Sequence, residues 1–518
     1  MSLPIVASGC FPNTEVRMQN TGALPPATEV TSPTKAYLYD ASVMLFPNGF
    51  SIRKDTITGT ARRFWLARTD PQYRSWHIPR DSIAAMTYYE PDISFGRGVA
   101  SFLLGWWGAS LTVSSLYCLG CPKCCFGSCP TVYSSDGSKD WLESELFSSS
   151  ISKLLEENDL DLLSYTGSGA GPYQLRVTNE ALETHYINKL TLLAVSHSRG
   201  TRVFPGADGR FVTAGRLLPP VVAVNREGED VTSAVRAPDT LAYRSGIRSL
   251  LKLKEGPYTD WLDVTLNVPE CASSVTMVVR LRNTLLSTIL LYDVVLASQG
   301  VEALGWTEKM NTDPQYASRF REVYSAFSGV AVKTLRNGTW AKEKSIRDAG
   351  PITWKYAATV IPVRQSGNLT VRLEFVPDNY AIDYIAFDAG TGADDSLSVE
   401  EVHPFAVRDN SGSPRDDVLP LIEKDDDSYL VTNPGESYRL SYDLPRNHDG
   451  NLTLFISSKG YYTEWIRGGW LKNGSAGYHF NLFETDKTLS QLAQSWQENR
   501  DLIERLFFET RIPVREAR

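Results

Sequence analysis

The chain has 518 residues, 42% of them hydrophobic and 22% charged, and a net charge of −8. This balance excludes wholesale disorder, and the length predicts three or four domains. No Lys/Arg block stands out, which argues against nucleic-acid binding, because neutralising phosphates needs a concentrated basic surface. The 12 Trp, 24 Tyr and 20 Phe suit β-sandwich cores and rigid binding surfaces.

Residues 1–35 read as a linker, rich in Pro, Thr, Asn and Gly from residue 11 onward. Within them Ala7-Ser8-Gly9-Cys10 resembles a lipobox and makes Cys10 a lipidation candidate. Against this, nothing basic precedes the motif, as a signal peptide requires, and the alternative is an ordinary cysteine. Residues 36–92 alternate in short runs around Pro47-Asn48-Gly49 and predict a small β-barrel-like unit.

From Gly98 to Tyr117 there is no charge. About 20 residues of helix rise about 30 Å, the thickness of a bilayer core, so 98–117 predicts one transmembrane helix. Gly105 and Gly108 offer small surfaces for another membrane helix to pack against. Trp106 and Trp107 fall near midspan, where a protein neighbour explains them better than an interfacial belt. The alternative is a buried core helix. Orientation is open, since Arg97 and Lys123 balance under the positive-inside rule.

Residues 118–130 form a cysteine-rich neck containing Cys118, Cys121, Cys124, Cys125 and Cys129. Disulfide stapling is the favoured reading for an oxidising compartment. Zinc held by two close thiolate pairs is a second. An iron–sulfur cluster is a third, but ferredoxin spacing puts its fourth cysteine where Ser128 stands. Cys271 reads as a buried apolar cysteine.

Beyond the neck the patterns are mainly β. Residues 131–245 predict a β-rich domain, with 144–163 partly helical. Residues 246–400 predict a β-sandwich-like domain carrying a helix at 313–328. Residues 401–518 predict a β-rich domain ending in a helix at 485–510. There is an internal echo. Ala223-Val224, Gly228, Asp230-Val231, Asp239 and Tyr243 recur in kind as Ala406-Val407, Gly412, Asp417-Val418, Asp426 and Tyr429. Gly-Asn-Leu-Thr opens strands at both 367 and 450. Two related β units or chance recurrence of turn wording would explain this. The fold expected is therefore mainly β: a small barrel-like unit, one transmembrane helix, then two or more sandwich-like domains with a few helices.

Cys129-Pro130-x-Val132-Tyr133-x-x-Asp136-Gly137 resembles a motif of an uncharacterised group of bacterial envelope proteins. In that group a small β unit and a glycine-rich hydrophobic span precede the motif, and a long β-rich region follows it. Val177-Thr178-Asn179-Glu180, Arg282-Asn283-Thr284 and Gly460-Tyr461-Tyr462 are further matching pieces, so the likeness covers most of 36–480. It implies an envelope location and β architecture, and no activity. The dense cysteines at 118–125 depart from the group's single cysteine.

Catalytic motifs are missing from the sequence: no metal spacing among the six His, no nucleophile elbow and no nucleotide loop. Gly167, Gly169 and Gly171 read as a turn rather than a dinucleotide loop, for want of a flanking strand and helix. Glu183 and His185 share one strand face as an acid–base candidate, with a plain hydrogen bond as the simpler reading. Asp409, Ser411, Ser413, Asp416 and Asp417, and Asp425 to Asp427, are candidate calcium oxygens, better read as solvated turns. Tyr461, Tyr462, Trp465 and Trp470 are either sandwich core or an aromatic platform for sugars or protein.

The function expected is a non-catalytic structural subunit of a bacterial membrane complex of respiratory, photosynthetic or secretion type. One helix anchors it in the lipid bilayer, and its bulk lies on the periplasmic or outer side. No cofactor is expected. A glycan- or protein-binding module of the envelope is the first alternative, and a redox or metal protein using the cysteines the second.

Overall fold

The computed structural model describes most of residues 13–92 and 129–464. Residues 1–12, 93–128 and 465–518 lie outside it, with short internal stretches that include 165–171, 246–258 and 446–450. The span 98–117, Cys10, the cysteines at 118–125, the glycine loop, Trp465, Trp470 and the helix at 485–510 therefore fall outside the described residues. Among the described residues no helix is long and apolar enough to cross a membrane.

The first unit is a nine-stranded antiparallel sheet. Its strands are β1 (Asn13–Gln19), β2 (Glu29–Val30), β3 (Thr34–Leu38), β4 (Val43–Phe46), β5 (Phe50–Arg53), β6 (Thr56–Trp65), β7 (Arg68–Thr69), β8 (Arg74–Pro79) and β9 (Ile83–Asp92). The linker expectation is corrected here, because Asn13–Gln19 pairs along its length with β9. The sheet curls because the long β6 pairs with β4, β5, β7 and β8. Ala36, Met44, Phe46, Ile52, Ile57 and Met86 fill its core. The turn at Asn48–Gly49 requires glycine: Gly49 has φ +77°, and a Cβ there would lie 1.8 Å from the Val30 carbonyl oxygen.

The remainder is two sandwiches, one split by the other. The split sandwich begins with β10 (Thr131–Ser135), β11 (Asp140–Glu145), β12 (Glu157–Leu162), β13 (Tyr173–Thr178) and β14 (Glu183–Ser196). A hairpin follows, β15 (Arg202–Pro205) and β16 (Phe211–Ala214). The inserted sandwich comprises β17 (Val222–Asn225), β18 (Tyr243–Arg244), β19 (Asp260–Val268), β20 (Ser274–Asn283), β21 (Val330–Arg336), β22 (Thr339–Ile346), β23 (Lys355–Pro362), β24 (Gly367–Phe375) and β25 (Tyr380–Asp388). The split sandwich then resumes with β26 (Ser398–Val402), β27 (Ala406–Asp409), β28 (Leu430–Thr432), β29 (Ser437–Tyr442) and β30 (Leu452–Glu464). Its sheets run β11-β10-β13-β29-β27 and β12-β30-β14-β26, with β28 also on β14. Strands from the stretches 131–245 and 401–518 thus share sheets.

Alternation explains the layers. In β19, Leu262, Val264, Leu266 and Val268 point inward and the residues between them face out. Each such burial contributes roughly 1.5–3 kcal/mol. Helices α1 (Ala303–Thr312) and α2 (Pro314–Ser328) link β20 to β21 and close the split sandwich with Met310, Phe320 and Phe327. The Asp313 carboxylate caps α2 by accepting from the amides of Gln315 and Tyr316, and Pro314 starts it. The partly helical reading of 144–163 is corrected: only a short 3-10 turn, Lys153–Leu155, lies between β11 and β12.

The inserted sheets run β17-β19-β24-β21-β22 and β18-β25-β20-β23. Reading β27, β29, β13, β10, β11 for the first series and β28, β14, β30, β12 for the second reproduces the split sandwich. The correspondence extends to irregularities. In both β10–β11 and β21–β22 one register shift leaves a glutamate bulged, Glu143 and Glu343, and each accepts from a hydroxyl on the facing strand, Ser134 and Thr334. Second bulges fall at Asn188 in β14 and Asp383 in β25. After β17 and β27 the same turn follows: Asn225 donates to Glu229, Gly228 to Asn225 and Val231 to Ala223, as Asp409 donates to Ser413, Gly412 to Asp409 and Arg415 to Val407. The sequence echo is this turn.

The two sandwiches meet along their equivalent edge strands β12 and β23. Lys355 of β23 bridges Asp159 at 3.0 Å and Asp161 at 2.9 Å. The β15–β16 hairpin covers the seam, with Phe204 beside Val278 and Ala358, and Phe211 against Phe455.

Candidate functional site

Glu183 and His185 do share a face of β14, 3.3 Å apart, but that face is the sandwich interior and both are 0% exposed. A substrate has no route to them among the described residues. Cys129 is buried nearby and forms no disulfide among the described residues. Burial pushes its thiol well above the usual range, and Glu183 and Glu145 push the same way. That environment keeps it protonated and unreactive. The Cys271 expectation is corrected: it is exposed, in the turn between β19 and β20.

Most of the candidate acidic groups already have partners in the chain. Asp409 Oδ1 accepts from the Ser411 hydroxyl at 2.6 Å and from the amides of Ser411 and Ser413, which holds its carboxyl below the usual range. Asp417 is bound by both arms of the Arg415 guanidinium at 2.8 Å. Asp425 meets Lys459 at 2.6 Å and Asp427 meets Lys153 at 3.0 Å. Among the described residues no cluster has the makings of a metal site. Tyr461 and Tyr462 belong to the core, 1% and 3% exposed. Tyr461 stacks on Tyr186 with centroids 4.6 Å apart, and Tyr462 donates to the Ser148 carbonyl.

The aromatic surface lies elsewhere, on the outer face of the inserted sheet β17-β19-β24-β21-β22. Residues paired across a ladder share a face. Pairing of Trp261 with Glu374, Asp263 with Arg372, Arg372 with Lys333 and Lys333 with Lys342 lays these side chains side by side. Arg372 occupies the centre. Its guanidinium donates two hydrogen bonds of 2.7 Å to Asp263, and lies 4.4 Å from the centroid of Trp261 and 4.2 Å from that of Trp340. Arg226, which donates to the Thr259 carbonyl, stands 4.7 Å from Trp261. The result is a ladder, Trp340–Arg372–Trp261–Arg226, in which each cation lies over an indole face. Lys333 bonds Glu374 at 2.5 Å, the Thr265 and Thr370 hydroxyls meet at 3.0 Å, and exposed Asn267 and Asn368 complete the edge.

Beneath the ladder, Asp260 is buried and its carboxyl is pushed up to about 6, chiefly by burial. It accepts from the Trp261 amide at 2.7 Å and from the Tyr243 hydroxyl at 3.3 Å. At the sheet edge, burial raises the Glu343 carboxyl, but hydrogen bonds from Thr334 and Arg336 outweigh it and hold the group below its usual range. The face is thus braced by charge-assisted bonds and presents planar aromatic, amide and hydroxyl groups together. Sequence reasoning read 246–400 as a β-sandwich-like domain and missed this site. The available signal was Trp261 set out of phase with Leu262, Val264 and Leu266, which directs it to the opposite face.

No protein-family model and no curated protein matches the chain. Among solved structures, the C-terminal CBM6 of LamC, a marine laminarinase from Zobellia galactanivorans, aligns at 7% identity over 38% of this chain and 98% of its own, with TM-score 0.15. The cycloalternan-forming enzyme of Listeria monocytogenes aligns at 10% identity, 66% of this chain and 31% of its own, with TM-score 0.14. The GH31 alpha-xylosidase of Xanthomonas citri aligns at 8%, 81% and 38%, with TM-score 0.17. Scores of this size support no assignment of fold family or activity.

Proposed function

We propose that this chain is a non-catalytic, glycan-binding protein of the bacterial envelope, and that the ladder face of the inserted sandwich holds the sugar. The observation that carries this reading is the alignment of Trp261 and Trp340 around Arg372 on an outer sheet face. Indole surfaces pack against the C–H faces of sugar rings, and a bidentate Arg–carboxylate pair, amides and hydroxyls match vicinal hydroxyl groups. A protein partner fits less well, because the centre of a protein interface is depleted in charged residues whereas this face is ruled by Arg372, Asp263, Lys333 and Glu374. The interior position of Glu183 and His185 supports a binding role over a catalytic one.

Membrane attachment through 98–117, and with it the scaffold role, rests on the uncharged run from Gly98 to Tyr117. A glycan array probed with the full chain and with Trp340→Ala tests the binding reading. Binding to a defined set of glycans, lost in the variant, is expected; equal binding by both proteins would place the site elsewhere, and silence across the array would remove the reading.

A further inference from the structure

The duplicated scaffold is its own control for what the ladder face is for. Strand registers set each position of the inserted face against one in the split sandwich. Arg372, on the central strand and paired with β19 and β21, corresponds to Arg176, on the central strand and paired with β29 and β10. From that anchor Trp261 corresponds to Ser437, Trp340 to Asp140, Lys333 to Tyr133 and Lys342 to Leu142. The shared turn sets Arg226 against Asn410. Arg176 has found other partners, Asp140 at 2.6 Å and the Tyr133 ring at 5.0 Å. The same sheet, with the same bulge, therefore forms without either tryptophan, without the two lysines and without Arg226. Folding does not require these residues, so their presence on one copy points to a ligand.

Their charge names its class. The whole chain carries −8, yet the ladder registers set three cations, Lys333, Lys342 and Arg372, against two carboxylates, Asp263 and Glu374, and Arg226 adds a fourth cation from the β17 turn, whose Glu227 and Glu229 act on the buried Tyr243. The paired groups, Arg372 with Asp263 and Lys333 with Glu374, are largely satisfied by each other. Lys342 is exposed, and among the described residues Arg226 bonds the Thr259 carbonyl and no carboxylate. From β17 to β22 the sheet spans four strand spacings of about 4.8 Å, about 19 Å in all, enough to lay a linear chain across the ladder. A small cationic surplus over that width matches no more than one carboxylate per sugar better than dense sulfation.

Building on the glycan-binding reading, we infer that the ligand is a carboxylate-bearing polysaccharide, a polyuronate, lying across β17, β19, β24, β21 and β22, with a sugar ring on Trp340 and its carboxylates at Lys342 and at Arg226, which Trp261 holds in place. The test uses the full chain and residues borrowed from the split sandwich. Polygalacturonate, neutral laminarin and a sulfated dextran are titrated at low salt and at 0.5 M NaCl. Polygalacturonate is expected to bind most tightly and to weaken about tenfold at high salt, because a Debye length of about 4–5 Å then screens exposed charges. Lys342→Leu with Arg226→Asn should lose about tenfold in affinity and most of the salt dependence. Trp261→Ser with Trp340→Asp should abolish binding while circular dichroism and the melting profile stay close to those of the parent. Preference for laminarin, or for the sulfated polymer, overturns the polyuronate inference and leaves the glycan-binding reading standing. Undiminished binding by the Trp variant overturns the assignment of the face. No binding to any of the three, or in the array, removes the reading on which the inference rests.

Discussion

Replacing Lys355 with Met tests the junction on which the split arrangement depends. The ammonium sits between Asp159 and Asp161, with side-chain exposures of 12%, 26% and 5% respectively, and joins β23 of the inserted sandwich to β12 of the split one. Methionine keeps the stem's volume and removes the charge, leaving two carboxylates facing an apolar tip. Removing one partner of a buried ion pair costs about 3–5 kcal/mol. Asp159 is a quarter exposed and retains the Phe147 amide as donor, so the lower end, about 3 kcal/mol, applies. At about 2 °C per kcal/mol for a body of this size, the melting midpoint should fall by roughly 6 °C at pH 7. At pH 5 the loss should be about half as large, because burial lifts the Asp161 carboxyl to about 6 and one of the two stranded charges is then already protonated. Scanning calorimetry at the two pH values measures both shifts. An equal loss at pH 5 and pH 7, or a loss under about 1 °C, would refute the view that the junction is a dry ion cluster.

Asp161→Asn has the opposite sign at neutral pH. A carboxyl raised from 3.8 to about 6 binds its proton more tightly in the folded state, so its favourable contribution is present below 3.8 and is lost as pH rises through 6. The variant should therefore flatten the melting-temperature profile between pH 4 and 6 and match or exceed the parent at pH 7; a steeper profile would contradict the assignment. Asp383→Ala strands the Arg280 guanidinium at the β25 bulge, where Asp383 is 0% exposed, and should cost about 3 kcal/mol, whereas Asp383→Asn, which supplies the residue type found at the equivalent Asn188, should cost less. Urea midpoints rank the two, and equal losses would argue against equivalence of the bulges. Native membranes washed with carbonate should retain the protein if 98–117 spans lipid, and release without detergent would remove the anchor.

Much of the β content was legible because period-2 alternation is a local signal: β19, β24 and β25 of the sandwich expected at 246–400 each alternate, and α2 carried its own start in Asp313 and Pro314. What alternation does not encode is which strand lies beside which. β13 and β29 are neighbours although the whole inserted sandwich separates them in sequence, so a linear division placed them in different domains. β12 was mistaken for part of a helix because Phe147, Ile151, Leu154 and Leu155 just before it keep a helical spacing, while the strand's acidic side chains answer to Lys355, Arg347 and Arg321 far along the chain. The aromatic platform was sought at Tyr461 and Tyr462, where aromatics adjoin in sequence. The ladder instead joins Trp261 and Trp340 through Arg372, and only the registers of β19, β24, β21 and β22 bring those three together. The echo at 223 and 406 was visible because a tight turn fixes residue types locally.

The most direct measurement of the central claim is hydrogen–deuterium exchange of the full chain with and without polygalacturonate. The account predicts slowed exchange confined to the sheet that carries the Trp–Arg ladder, at 222–226, 261–267, 330–336, 339–344 and 368–374. Slowed exchange in β10, β13 and β29 instead, or no change anywhere at a saturating concentration, would contradict it.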